Sequence, residues 1–235
     1  MKKLTRLTLT TAAVALLPVC TQAQIIISEV DPAGSGNTDY GADWFELQNT
    51  GASAVDITGW EMDDSSDKIA NAVPLTGVTS IAAGQTVVFI ENTDPNGSGG
   101  ALLSPTATAT LDANFISAWF GGTAPVGLTI GNYGGSGVGL STSGDAVNIF
   151  DGSGNAVTGV TFGSAPTGAT FDNTAGLSGA ISQASVVGVN GAFLSADGKE
   201  IGSPGNVSPV PEPTTFAMLG LGAASLIGFY RNRRS

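Results

Sequence analysis

The central part of this 235-residue chain predicts an all-β fold, an antiparallel sandwich, and three observations predict it. Short apolar or alternating runs recur between Gln24 and about Asn206. Clusters of Gly, Asn, Asp and Ser, such as NTGAS, AAGQ, DPNGSGG and DGSGN, separate them. No long stretch of helical period intervenes. Many short strands with turns at fairly regular spacing are the pattern of two packed antiparallel sheets.

Seven runs are the expected strands: Ile25–Val30, Asp43–Asn49, Gly59–Asp64, Thr86–Asn92, Asp145–Asp151, Ala156–Phe162 and Ala184–Val189. The first and fourth are apolar enough to be central. DGSGN, Asp151 to Asn155, joins two β-rich runs and reads as a hairpin loop, because Gly and Asn accept positive φ. Trp44, Trp60, Phe89, Phe150 and Phe162 are the expected large core side chains. Residues 96–139 resist division. They are rich in Gly, Ala and Thr and read as an elaborated loop region with one strand, with Leu111–Gly122 a strand or a short helix. Glycine makes up 34 residues, which suits flexible surface loops.

The order of blocks carries a resemblance. ISEVDP opens the segment; DWFELQNTG, VDITGWEMDD and VTSIAAGQTVVFIEN follow, then LSTSGDAVNIFDGSGNAV and EIGSPGNVSP. The ordered set is similar to the lamin tail domain in its bacterial form, over nearly all of 25–206. The resemblance implies an immunoglobulin-like β-sandwich. Trp60 would follow a turn glycine into the core. Ala83, Gly84 and Gln85 would turn the chain into the strand at 86, Gly144 and Asp145 would do so before 146, and Gly202 to Gly205 would close the domain.

Both ends read as addresses. Lys2, Lys3 and Arg6 precede a mostly apolar segment from Leu7 to Val19, and Thr21, Gln22 and Ala23 end it. This is the pattern of a secretory signal peptide, residues 1–23, cut between Ala23 and Gln24. It is too short for the roughly 20 residues of a membrane span. Cys20, the sole cysteine, lies inside it. Val19 and Pro18 suit a lipidation site poorly, and cleavage leaves a mature chain without disulfides. At the other end, Thr214 to Tyr230 carries no charge and reads as a transmembrane helix of about 26 Å. Residues 231–235 form a basic cytoplasmic tail, since arginines stay on the cytoplasmic side. The linker 208–213 holds Pro211, Glu212 and Pro213, and its two prolines favour an extended, exposed segment.

These three parts, Pro211-Glu212-Pro213, the apolar run and Arg231, Arg233 and Arg234, closely resemble the PEP-CTERM sorting signal. The resemblance implies recognition by an exosortase, a transient inner-membrane anchor, and transfer of the 24–207 body to the cell surface or extracellular matrix of a Gram-negative bacterium. Signal peptidase would act first.

Eighteen Asp and Glu stand against Lys68 and Lys199 between Gln24 and Pro209, leaving a net charge of −16. Such a body repels phosphate backbones, so nucleic acid is not an expected partner. Histidine is absent from the whole chain, which excludes Ser–His and Cys–His chemistry and His-based metal sites. No phosphate-cradling P-loop motif is present. Asp43 and Glu46 bracket Trp44, but residues three apart on a strand face opposite ways and make a poor glycosidase pair. No catalytic residues are expected. Asp94, Asn96 and Ser98, and again Asp151, Ser153 and Asn155, alternate in Gly-rich loops as calcium ligands do. Pro105 and Phe162 stand where the twelfth-position Glu would be. Asp63, Asp64 and Asp67 crowd beside Lys68. Asx turns alone explain all three stretches.

The expectation is therefore a non-catalytic, exported surface or matrix protein that works in adhesion or scaffolding, toward extracellular polysaccharide or other surface proteins. The alternatives are a calcium-dependent carbohydrate-binding module and an accessory binding domain for an extracellular hydrolase.

Overall fold

The computed structural model describes residues 25–206. The signal segment, the Pro-Glu-Pro linker, the apolar run and the arginine cluster lie outside them. In chain order the elements are β1 (Ile25–Asp31), β2 (Trp44–Asn49), β3 (Val55–Asp56), β4 (Glu61–Asp63), β5 (Val73–Pro74), β6 (Ser80–Ile81), β7 (Thr86–Glu91), α1 (Pro105–Phe120), β8 (Ile130–Tyr133), β9 (Asp145–Phe150), β10 (Ala156–Phe162), β11 (Phe171–Asp172), β12 (Gly179–Ile181), β13 (Phe193–Leu194) and β14 (Ile201–Gly202).

Two five-stranded sheets form the sandwich. One runs β11-β1-β2-β7-β8 and the other β12-β10-β9-β4-β5. Pairing within them is antiparallel except at two edges, where β8 joins β7 and β12 joins β10 in parallel. Their facing sides share one core. Ile27, Phe45, Leu47, Val87 and Phe89 come from the first sheet, and Met62, Val147, Ile149 and Phe162 from the second. The expected large side chains Trp44, Trp60, Phe89, Phe150 and Phe162 are all buried.

A third layer covers the far face of the first sheet. Trp44, Val88 and Ile90 point away from the sandwich core and pack against Leu111, Phe115, Ala118 and Trp119 of α1. Trp44 meets Phe115 and Trp119 edge-on at 5.7 and 5.6 Å, and Trp119 meets Phe193 at 5.8 Å. The central strands β1 and β2 are thus buried on both faces, so every residue in them is inaccessible.

Six of the seven expected strands are present, with ends shifted by two residues at most. Ala184–Val189 is not a strand. Ala184 makes one bridge to Phe171, and the chain then folds into consecutive turns, with Val189 N–H donating to Val186 O and Ala192 N–H to Val189 O. Gly188, Asn190 and Gly191 all have positive φ, which breaks an extended run.

Residues 96–139 hold one strand, β8, and a 16-residue helix that takes in most of Leu111–Gly122, the run expected to be a strand or a short helix, and starts earlier, at Pro105. Pro105 sits in its first turn, and Ser104 Oγ accepts the Ala107 N–H at 3.3 Å. Gly121, left-handed at φ 69°, ends it. Its buried positions 111, 115, 118 and 119 keep helical spacing. The turn residues fall where the sequence places them. Gly59 and Gly84 adopt φ of 72° and 74°, and β9 pairs with β10 across the DGSGN loop.

Candidate functional site

The described residues gather their chemistry beneath the closing segment of the domain. β2 turns Phe45 and Leu47 toward the sandwich core and Trp44, and with it Glu46, toward the α1 side. A register shift between Ile27 and Glu29 sets Glu29 directly opposite Glu46. Two carboxyls in such a position, each about 1% exposed, repel one another unless protons and donors intervene.

Donors come from the segment after β14. Ser203 N–H donates to Glu29 Oε1 at 2.7 Å, and Ser203 Oγ lies 3.0 Å from Glu29 Oε2. Gly205 N–H donates to Glu46 Oε2 at 2.6 Å. Thr170 Oγ lies 2.5 Å from Glu29 Oε1, and Ser28 Oγ 2.6 Å from Glu46 Oε1. Burial, reinforced by the charge of Glu46, pushes the Glu29 carboxyl up to about 8 despite these bonds. Burial lifts Glu46 to about 7. Burial thus favours the protonated form of Glu29 in the folded chain, with the Ser203 and Thr170 hydroxyls within hydrogen-bond reach of its oxygens.

A second cluster adjoins the first. Tyr40 hydroxyl stands 2.9 Å from Glu200 Oε2 and 3.3 Å from Asp31 Oδ2, and Trp44 Nε1 donates to it at 3.3 Å. One phenol proton cannot serve two carboxylates, so a carboxyl must supply the other. Burial, and then the charge of Glu200, holds Asp31 well above the usual carboxylate range, and burial raises Glu200 as well. Asn37 Nδ2 donates to Glu200 and to Asp197. Lys199 closes the rim with a 2.8 Å ion pair to Asp39. Beside this rim an open hollow of about 410 Å³ is lined by Thr38, Asp39, Asn114, Ser117 and Asp197.

This arrangement suits holding. The carboxyls of Glu29, Asp31 and Glu46 are sealed from solvent. Glu29 and Glu46 bind Ser203 and Gly205 of the segment that closes over β1 and β2, while Asp31 is met by the Ala33 N–H and the Tyr40 hydroxyl.

The residues singled out from the sequence behave differently. Asp43 and Glu46 do not converge: Asp43 accepts the Ser35 N–H at 2.8 Å, while Glu46 faces Ser28 and Gly205. Asp151 Oδ1 accepts the N–H groups of Ser153 and Asn155, and Asn155 Nδ2 donates to Oδ2, so this triplet forms one closed turn. Asp94 Oδ1 accepts the Asn96 N–H. Asp63 Oδ2 accepts from Ser66 Oγ and the Lys68 N–H. Among the described residues no group of three acidic, His or Cys side chains is placed to hold a metal ion. The sorting residues Pro211, Glu212, Pro213, Arg231, Arg233 and Arg234, and the cleavage pair Ala23 and Gln24, lie outside the described residues.

Glu29, Asp31 and Glu200 escaped the sequence reading. For Glu29 and Asp31 the signal was a carboxylate embedded in an otherwise apolar run, IIISEVD, which marks a strand covered on both sides; Glu200, in the polar run ADGKEIGSP, carried no such signal.

The family model for the lamin tail domain matches residues 18–164. The chain belongs to the lamin tail domain family. The model for the PEP-CTERM protein-sorting motif matches residues 209–234. No curated protein matches the chain. The lamin tail match stops after β10, whereas the fold continues to Asn206, and the strap that seals Glu29 and Glu46 belongs to that continuation. The sorting motif makes this lamin tail protein a substrate of exosortase processing, exported as a membrane-anchored precursor and directed to the cell surface.

Proposed function

We infer that the protein is a non-catalytic surface or matrix component, in which the lamin tail domain serves adhesion or scaffolding after sorting. The observation that carries this reading is the burial of the carboxyl cluster: Glu29, Asp31 and Glu46 are each about 1% exposed and bonded to the domain's own backbone and side chains. Groups sealed in this way stabilise a closing strap and cannot meet a substrate. Loops and hollows on an acidic exterior are left to make contacts. Sheet edges are poorer docking sites, because β5 and β12 are two and three residues long and β5 contains Pro74.

Two experiments test this. Cells producing the parent chain and the Pro211→Ala, Pro213→Ala double variant are fractionated. The parent is expected at the surface or in the medium, and the variant in the membrane. The mature protein is then followed by sedimentation and by retention on extracellular polymer. Concentration-dependent self-association or retention supports the scaffold reading; a monomer that the matrix does not retain at any concentration ends it.

A further inference from the structure

Val186, Val187 and Val189 stand 51%, 56% and 47% exposed on one ordered loop. The loop is fixed by Val189 N–H donating to Val186 O at 2.9 Å and Gly188 N–H to Ala192 O at 2.8 Å. Asn190 Nδ2 ties it to Asp172 at 2.8 Å, and Leu177, 55% exposed, lines the same hollow as Asn190. Single exposed aliphatics are ordinary, but three on one rigid loop, with Leu177 beside the same hollow, mark a contact surface.

The loop lies where the chain leaves the domain. Asn206, the last described residue, donates from Nδ2 to Gly191 O at 2.7 Å, and its N–H donates to Ser203 O. Ser203 and Gly205 are in turn held by Glu29 and Glu46. The exit point is thus fastened two residues from Val189.

Covalent length then limits where this face can go. Seven residues, Val207 to Pro213, separate Asn206 from the uncharged run that begins at Thr214. Fully extended, that tether reaches at most about 28 Å. A domain of this size has a radius of gyration of about 16 Å and is roughly 40 Å across. With Thr214–Tyr230 in the bilayer, the exit point stays within about 28 Å of the lipid surface, less than the width of the domain, so the exit face is within reach of it. No charged residue occurs from Asn173 to Ala196, so this part of an acidic body presents nothing that anionic headgroups repel.

We propose that the Val186–Val189 loop seats on the phospholipid surface of the membrane in which the precursor is anchored, setting the height and orientation of the Pro211–Pro213 motif for cleavage. The proposal rests on the sorting reading and goes beyond it, because a sorting signal alone demands no particular face of its cargo.

The test uses the full chain with Cys20→Ser, labelled with an environment-sensitive fluorophore at Val187→Cys or, as a control, at Ile69→Cys beside the Asp151–Asn155 hairpin. Each is reconstituted into vesicles of phosphatidylethanolamine and phosphatidylglycerol containing nitroxide lipids. The label at 187 is expected to shift blue and to be quenched several-fold more than the label at 69. Adding Val186→Ser and Val189→Ser should bring it to the control level without changing vesicle flotation. Equal quenching at 187 and 69 in a chain that floats overturns the seating but leaves the anchor standing. A chain that does not float with vesicles removes both. Protection at 187 that rises with protein concentration and persists without nitroxide lipid shows contact with a second copy and also overturns it.

Discussion

Glu29 shows how one buried acid couples a whole strap to pH. Its ordinary value near 4.5 rises to about 8 in the folded protein, chiefly through burial and then through the charge of Glu46. Between those values the folded chain binds a proton that the unfolded chain has released. The stability this contributes is complete below about 4.5 and is lost as pH climbs through 8. Glu46, raised to about 7, and Asp43, raised to about 6 by burial, act in the same direction. The urea midpoint is therefore expected to be higher at pH 5.5 than at pH 8.5, with an unfolding free energy larger by an amount on the order of a few kcal/mol. Glu29→Gln, which keeps the shape without the charge, should flatten that difference; a stability that rises toward pH 8.5 in the parent would contradict the account. Gly202 is sensitive for a steric reason. A Cβ there would come within 2.6 Å of Glu29 Oε1 and 2.8 Å of the Trp119 ring. Gly202→Ala should destabilise by about 1–3 kcal/mol, read from denaturant melts.

Among the elements, α1 is the instructive one. Pro105–Phe120 contains TATAT, whose alternation and threonines imitate a strand, and that hid the start of the helix and left Leu111–Gly122 open between strand and helix. Its true signals were local: Ser-Pro before it, Gly-Gly after it, and apolar residues at 111, 115, 118 and 119. Ser104→Ala should cost about 1 kcal/mol through the lost N-cap bond. Trp119→Ala should cost about 3–5 kcal/mol, because the ring packs on Trp44 and Phe193. If thermal melts show the two substitutions equal, the helix is not anchored through its aromatic face. Ala184–Val189 erred the other way. Its valines have strand propensity, but Gly188, Asn190 and Gly191 turn left-handed and leave those valines in solvent.

At the scale of the whole molecule, charge and topology set the expectations. Both Asx-rich loops satisfy Asp94 or Asp151 with backbone N–H groups. Millimolar calcium should therefore leave the melting temperature unchanged; a rise of several degrees would revive the calcium-binding alternative. Much of this scale was legible in the chain itself. The two-sheet class, the hairpin at Asp151–Asn155, the turn glycines and the sorting motif at the C-terminus each rest on local pattern, where one residue's preference reports on its own neighbourhood. The layer of α1, the sealing of Glu29 and Glu46 by Ser203 and Gly205, and the placing of Val186–Val189 at the chain's exit were decided only in three dimensions. Each brings together residues far apart in sequence, as Glu29 and Ser203 are. The burial that raises a carboxyl's pKa belongs to the packed assembly, and no local run of residues encodes it.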